Sequence, residues 1–382
     1  MGTSAPAISS TVSYPTVRDA PDRLWRRVLT NGRVLIGGGM LLLILGTCLA
    51  TLPWTLSTDS KLHFDAQRAV RARTAPSLSE PVLYFGSDEL GRSLFGRCMI
   101  GGVISLAVGV AAAAISVVLG VTVGLISGFR GGWVDALLMR FVDVMYGLPY
   151  LLQVILLKIA FERQFDSGNW TNAGALVLGV FFFVAGLLIF QRRATAEERP
   201  RQRLSWTLMG LGAGSAAIGA LSWMPSAPLP RLGANLLVLF IAIGLVSWLT
   251  MARVVRGQVL SLRSQPFIEA ARAAGLPEWR IFLRHLLPNL AGPIIVYATL
   301  TVPQAVLQES FLSFLGIGVQ APMPTWGSLA ADGIKLALNP LNPRWWFLLF
   351  PCTLLALTLL SLNFVGDGLR DLFDPKKEAA KL

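Results

Sequence analysis

The sequence predicts an all-α, polytopic membrane protein, and three observations lead there. Of 382 residues, 54% are hydrophobic and only 14% are charged, against roughly 25% charged in a soluble globular chain. Mean hydropathy is +0.60. Apolar runs near the length of a bilayer crossing, about 20 residues, recur along the chain. A net charge of +12 would suggest nucleic acid in a soluble protein. Here the basic residues sit in short segments between apolar runs, as in the cytoplasmic loops of membrane proteins, and no nucleic-acid partner is expected.

Residues 1–22 are rich in Ser, Thr, Pro and Ala and read as a tail without periodic structure. Arg23, Arg26, Arg27 and Arg33 precede the first apolar run, 34–54. That run is long and lacks a small-x-small cleavage site, so it reads as an uncleaved first span. Further spans are predicted at 98–127, 134–160, 173–190, 205–224, 233–252, 290–312 and 346–366, eight in all, with both ends on one side. With the N-terminus inside, 21 Lys and Arg fall in inside segments and 10 outside, while Arg140 and Lys158 lie within a span. The bias places both ends in the cytoplasm. Segment 55–97 is long enough for a small extracytoplasmic cap. Residues 166–232 read as an inserted two-span hairpin around RRATAEERPRQR (192–203), decorating a six-span core.

The remaining segment, EAARAAGLPEWRIFLRHLLPN (269–289), is charged and helix-forming. Ser264 is placed to cap a short helix with Pro266 in its first turn. Phe267, Ala270, Ala271 and Ala274 recur at helical spacing on one face, and the alanines keep that face thin. Gly275 suits a left-handed cap. Pro277 and Glu278 suit the first turn of a second helix, with Trp279, Phe282, Leu283 and Leu286 as its apolar stripe. Arg280 and Arg284 share a more polar face, and Pro288 ends the unit. Residue chemistry alone leaves two readings level: a knob that fits a groove in another protein, or an amphipathic helix on the membrane surface.

Cys48, Cys98 and Cys352 lie in or beside apolar runs without metal-type spacing. The two histidines, His63 and His285, form no cluster. No G-x-x-x-x-G-K-[ST] motif is present, and no nucleophile–base constellation is visible. Ionisable residues within spans carry a functional prior: Asp135, Arg140, Asp143, Lys158 and Glu309. Arg140 and Asp143 are spaced to pair on one helix. Asp135 and Lys158 lie near the ends of their span. Arg140, Asp143 and Glu309 are candidates for the solute path or for intramembrane polar contacts.

The 269–289 segment resembles the EAA loop of ATP-binding-cassette (ABC) importer permeases, matched at Glu269, Ala270, Ala271, Gly275, His285 and Pro288. SFLGIGVQAPMPTWGSL (313–329), NFVGDGLRDLFDPK (363–376), GSDELGRSLFGR (86–97) and VRGQVLSLRSQPFIEAAR (255–272) resemble stretches of the dipeptide/oligopeptide permease group, second-subunit type. The resemblance covers about 33–160 and 233–376. It departs at Ser93, Gly96 and Val103, where that group often has Asp, Ser and Arg. The resemblance implies a type I ABC importer transmembrane fold. It places a tail at 1–32, the first span and outer loop at 33–97, and the permease domain at 98–372. That domain holds the hairpin 166–232 and the coupling loop 253–289, and a tail follows at 373–382. It implies a non-catalytic subunit of the bacterial plasma (inner) membrane. A homologous permease, one or two cytoplasmic ABC ATPases and an extracytoplasmic solute-binding protein are the implied partners, with a peptide as substrate. No cofactor is expected in this chain; ATP and Mg are expected on the ATPases. Glu269, Ala270, Ala271, Arg272, Gly275, Arg284, His285 and Pro288 are the implied coupling residues. Related permeases for nickel or another small solute, and an ion-coupled secondary transporter, are the alternatives.

Overall fold

The computed structural model describes residues 30–166, 231–340 and 343–373, apart from Ala69 and Arg71. The predicted spans 173–190 and 205–224 lie outside the described residues. Among those described, five helices are long and apolar enough to cross a membrane, or six if one sharply bent pair counts as a single span.

The first helix, α1 (Gly32–Leu56), starts where the Asn31 side chain accepts a hydrogen bond from the Arg33 amide at 3.0 Å. A long loop follows. Then α2 (Leu94–Arg130) begins at Ser93, whose hydroxyl accepts from the Gly96 amide and donates to the Val82 carbonyl at 2.7 Å. A hydroxyl can do both. A carboxylate could cap the helix but could not donate to Val82, which explains Ser at this departure from the resembling family.

The single helix predicted over 134–160 is two. Helix α3 (Gly132–Gly147) and helix α4 (Tyr150–Asp166) meet at 98°. Gly147 and Pro149 flank the break, and Pro149 disfavours helical backbone at Leu148, which is extended (ψ 137°). The freed carbonyls are not left bare. The Gln153 amide donates to the Leu148 carbonyl at 2.9 Å and to that of Met145. Lys158, buried in α4, donates to the backbone carbonyls of Ile317 and Gly318.

Helix α5 (Arg231–Leu262) runs ten residues past the predicted end of its span, so Arg253 and Arg256 lie on the helix and not in a loop. After the short α6 (Pro266–Ala273) come α7 (Glu278–Ile281), a π turn (Phe282–Leu286) and α8 (Leu287–Phe314). Pro288 does not end the second loop helix: the chain runs from it into α8, and Phe282–Phe314 is one continuous helical run long and apolar enough to cross a membrane. The Leu287 amide reaches back five residues to Phe282. This wider turn accommodates a proline that lacks an amide and crowds the preceding turn. Two further helices are α9 (Trp326–Ala337), capped reciprocally by Thr325 and Ser328, and α10 (Trp346–Phe373). Helix α9 sits inside segment 313–345, where the sequence predicted no helix.

Helix α2 is the central post. It packs most extensively on α5, then on α8 and α1. Its glycines make that approach possible. A Cβ at Gly120 would lie 2.5 Å from the Met251 Cβ, one at Gly124 2.6 Å from the Ala252 carbonyl, and one at Gly128 2.8 Å from the Val259 Cβ. Small residues at such contacts let backbones come together where lipid supplies no hydrophobic drive. Ser116 adds a hydrogen bond to the Ser247 carbonyl at 3.0 Å. The outermost helix is α1, whose exposed Leu35, Ile36, Leu42 and Leu43 suit contact with lipid. Its start meets the end of α10: Arg33 pairs with Asp371 at 3.0 Å and Asn31 donates to the Gly368 carbonyl. The first and last described helices thus begin and end at the same end of the bundle.

Candidate functional site

The charged loop is a folded unit anchored on one side and bare on the other. Ile268 and Ala271 of α6 are buried, at 0% and 7% exposure. They pack with Phe129, Val255, Val259, Ile281, Leu286 and Leu290 in a cluster that joins α2, α5 and α8. The exposed side of α6 presents Phe267, Ala270 and Ala274, flanking the buried Ala271, with Glu269 and Arg272 also exposed. Arg272 lies over the Phe129 ring at 5.1 Å, which steers it back onto the bundle. Of the sequence-predicted coupling residues, Ala271 therefore faces inward, whereas Glu269, Ala270, Arg272, Gly275, Arg284 and Pro288 face out and His285 is half-buried.

Gly275 has φ +71°, the left-handed conformation expected of it. The turn closes with two reverse hydrogen bonds, from the Gly275 amide to the Arg272 carbonyl and from the Leu276 amide to the Ala271 carbonyl. Leu276 then packs on the cluster beneath. A Cβ at Gly275 would meet nothing within 4 Å, so its requirement is conformational. Two local expectations change. The residue capping α6 is Gln265, without a side-chain cap, and Ser264 instead donates to the Ser261 carbonyl. The buried stripe beyond Pro277 is Ile281, Leu286 and Leu290, while Leu283 is 60% exposed. The π turn explains this: it widens the repeat from four residues to five, so burial steps from 281 to 286. The Trp279 side chain lies outside the described residues.

Charged side chains form a ladder up the α3–α5 seam. Arg256 grips Asp135 with two hydrogen bonds, 2.5 and 2.6 Å, and Ser127 of α2 donates to the same carboxylate. One step along, Asp143 pairs with Arg253 at 2.7 Å and not with Arg140 on its own helix. The Arg253 guanidinium sits 3.8 Å over the Tyr146 ring, and the Tyr146 hydroxyl meets Thr250 Oγ1 at 2.5 Å. Arg140 is exposed. Glu309 lies elsewhere and is fully buried. Ser313 and Ser105 donate to it at 2.6 and 2.9 Å, bracing α8 against α2. Sequence reasoning missed Arg253 and Arg256, the cations that complete both pairs. The usable signal was the polar and small series Thr250, Arg253, Gly257 and Ser261, whose helical spacing continues past the apolar run.

At the other end of the bundle, Asp88 is the hub of the GSDELGR stretch. It accepts from Arg92 and Arg97 side chains at 2.6 and 2.8 Å and from the Leu90 and Arg92 amides, while Arg92 also pairs with Asp65 at 3.0 Å. Burial pulls the Arg92 guanidinium down, but hydrogen bonds and charge from Asp88 and Asp65 more than offset it, so it titrates above its ordinary range. At Gly91 (φ +74°) any side chain would collide with the Arg68 carbonyl. Trp326, fully buried, donates to the Cys98 carbonyl at 3.0 Å and lies against Gly102. Each of these stretches makes a tertiary joint.

Among the described residues no group of His, Cys, Asp and Glu is placed to hold a metal ion. The class defined by these features is a helical membrane-transport subunit, and comparison with known proteins agrees. The family model described as binding-protein-dependent transport system inner membrane component matches residues 120–209 and 206–379. The chain is 38% identical over 303 residues to the oligopeptide transport system permease protein OppC of Haemophilus influenzae, covering 79% of this chain and 73% of that protein. It is 34% identical over 368 residues to the dipeptide transport system permease protein DppC of Bacillus subtilis, covering 96% and 89%. It is 28% identical over 370 residues to the glutathione transport system permease protein GsiD of Pectobacterium atrosepticum, covering 95% of each. The chain belongs to the family of binding-protein-dependent transport system inner membrane components. It is a non-catalytic permease subunit of the ABC importer type.

Proposed function

We propose that this chain is one of two homologous permeases in an ATP-driven importer of di- or oligopeptides, in a bacterial inner membrane. It forms half of the translocation path. The other half comes from the second permease, and peptide is delivered by an extracytoplasmic solute-binding protein that docks on outer loops 55–97 and 313–345. ATP and Mg bind to one or two cytoplasmic ATPase subunits. The chain crosses the membrane eight times, a six-span type I core plus the hairpin 166–232, with both termini in the cytoplasm. Its tails are 1–32 and 373–382, around the segment 33–97 and the permease domain 98–372. The peptide substrate is supported by the names of the relatives at 38% and 34% identity.

One observation carries the coupling role. Helix α6 is fastened by Ile268 and Ala271, closed by Gly275, and bare along Phe267, Ala270 and Ala274. A thin, rigid, partly apolar face at the tip of an anchored unit suits insertion into a groove. In the ATPase groove, Phe267, Ala270, Ala274 and Gly275 make the contact, with Glu269, Arg272, Arg284 and His285 at the rim. Ala271 and Pro288 transmit the movement, Ala271 through the cluster under α6 and Pro288 through the helix it opens. ATP-driven closure of the ATPases then turns α8 and α5 together, because one apolar cluster joins both to the loop. Arg140 and Asp143 line the solute path, and Glu309 braces its outer wall from behind.

The test is reconstitution of the permease pair with ATPases, binding protein and a labelled tripeptide in vesicles. Uptake requires ATP hydrolysis and stops when the ATPases carry a hydrolysis-dead substitution. Uptake that continues with the dead ATPases would refute the reading.

A further inference from the structure

Two polar stripes face one another across the α3–α5 seam. On α3, Arg140, Asp143 and Tyr146 are exposed along one flank. The neighbouring flank of the same helix, also exposed, is apolar: Leu137, Phe141, Val144 and Leu148. On α5, Thr250, Arg253, Gly257 and Ser261 are exposed at one-turn intervals. The stripes are joined by the Arg253–Asp143 pair at 2.7 Å and the Tyr146–Thr250 hydrogen bond at 2.5 Å.

The apolar flank sets the environment at this level. Phe141 and Val144 are 52% and 62% exposed beside Asp143, as lipid-facing side chains are. A charged side chain turned to hydrocarbon at that level costs about 2.5–3.5 kcal/mol. An ion pair whose side chains are 42% and 60% exposed is therefore turned away from hydrocarbon. Thr250 and Ser261 lie eleven residues apart, about 17 Å at 1.5 Å per residue, a length greater than the thickness of a headgroup layer, roughly 6 Å.

The charge and the free donors select the ligand. Arg256 is committed to Asp135. That leaves Arg140 and Arg253 against Asp143 alone, a net positive site. Arg140 has no ion-pair partner among the described residues. Asp143 takes Nη2 of Arg253 and the Tyr146 ring covers one guanidinium face, so the group is held in one plane. Its Nε and Nη1 make no hydrogen bond among the described residues. Nη2 keeps a second N–H, and with Nε on one edge or Nη1 on the other it leaves the edge turned away from Asp143 open to a carboxylate in a bidentate fork.

Resting on the peptide-import reading above, we propose that Arg253, oriented by Asp143 and Tyr146 and aided by Arg140, binds the terminal carboxylate of the peptide in transit. The site is a way station: exposed to water, it binds weakly enough to release its cargo.

The experiment uses the complete reconstituted complex in vesicles of zwitterionic lipid. It compares ATP-driven uptake of one tripeptide as the free acid and as its C-terminal amide. The binding protein is the same throughout, so its own preference cancels between variants. Arg253→Gln lowers the acid-to-amide uptake ratio about tenfold, the effect of losing a charge-assisted hydrogen-bond pair. Arg253→Lys, which keeps the charge but not the fork, restores part of that ratio. Arg140→Gln, outside the ion pair, lowers it about threefold. An unchanged ratio in all three variants would overturn the proposal, as would equal loss of acid and amide uptake in Arg253→Gln and Arg140→Gln alike. So would a ratio change that appears only when anionic lipid is added, which would assign the arginines to headgroups. Failure of the import reading looks different, because the unsubstituted complex would then show no ATP-dependent uptake of either peptide.

Discussion

Replacing Gly275 with aspartate separates ATP hydrolysis from transport, and the structure sets the size of the effect. Gly275 sits at φ +71°, where a residue with a Cβ loses roughly 1–2 kcal/mol and Asn or Asp loses less because their side chains tolerate this region. The added Cβ meets nothing within 4 Å, so no steric term inside the chain is added. Gly275→Asn is then the mild variant, and Gly275→Ala lowers the properly turned population about fivefold, the equivalent of about 1 kcal/mol. Gly275→Asp shares the backbone tolerance of Asn but places a carboxylate in the groove. An unpaired charge desolvated there costs at least about 3 kcal/mol, more than a hundredfold in productive docking. The assay is ATP hydrolysis and peptide uptake in the same vesicles. Uptake ranks Asn above Ala above Asp, and the Asp complex retains basal hydrolysis. If Asp transports as well as Asn, Gly275 does not sit in a protein groove and the reasoning fails.

Other outcomes follow from the packing. Asp135→Asn breaks the bidentate grip of Arg256 on a half-covered pair and lowers stability by about 1–3 kcal/mol, read as a lower Tm of the purified complex in detergent. Gly124→Val drives a side chain toward the Ala252 carbonyl, 2.6 Å from the position of its Cβ; it costs about 3 kcal/mol and shortens the half-life of the complex on heating. Glu309→Leu leaves the Ser105 and Ser313 hydroxyls without their acceptor, a loss of about 1–3 kcal/mol, whereas Glu309→Gln keeps an acceptor and is nearly neutral in the same melt. A cysteine at Thr195, in the hairpin outside the described residues, stays shielded from an impermeant reagent added outside intact cells; ready labelling would invert the proposed orientation.

Long apolar runs made α1, α2, α5, α8 and α10 legible, because lipid imposes their length and composition directly. Gly275 was legible for a similarly local reason: a glycine after an alanine-rich helix and before Leu-Pro leaves few alternatives to a left-handed cap. The break at Gly147–Pro149 was not, since apolar residues continue on both sides and hydropathy does not register direction. Pro149 was its one visible trace. The π turn was hidden because burial steps by five from Ile281 to Leu286 before returning to four at Leu290, and helical periodicity assumes 3.6. The pairing of Asp143 was misread for a third reason. Arg140 stood nearest in sequence, and Arg253 had been counted into a loop because the apolar run stopped at Ala252. The helix continued on a different logic, apolar toward α2 and polar on its free face. Which face a membrane helix turns to water is decided by its neighbours, and one chain's hydropathy does not contain them.

The account rests on α6 being covered by an ATPase, and chemical protection of its bare face tests that directly. Cys48 and Cys98 are buried, so with Cys352 replaced by serine the native chain offers little background. In that chain, a cysteine at Ala270 is labelled by a maleimide in the isolated permease pair. It becomes protected when the ATPases bind, while a cysteine at the exposed outer position Ser79 is labelled in both states. Equal labelling at Ala270 with and without bound ATPases would contradict the assignment of this loop as the coupling element.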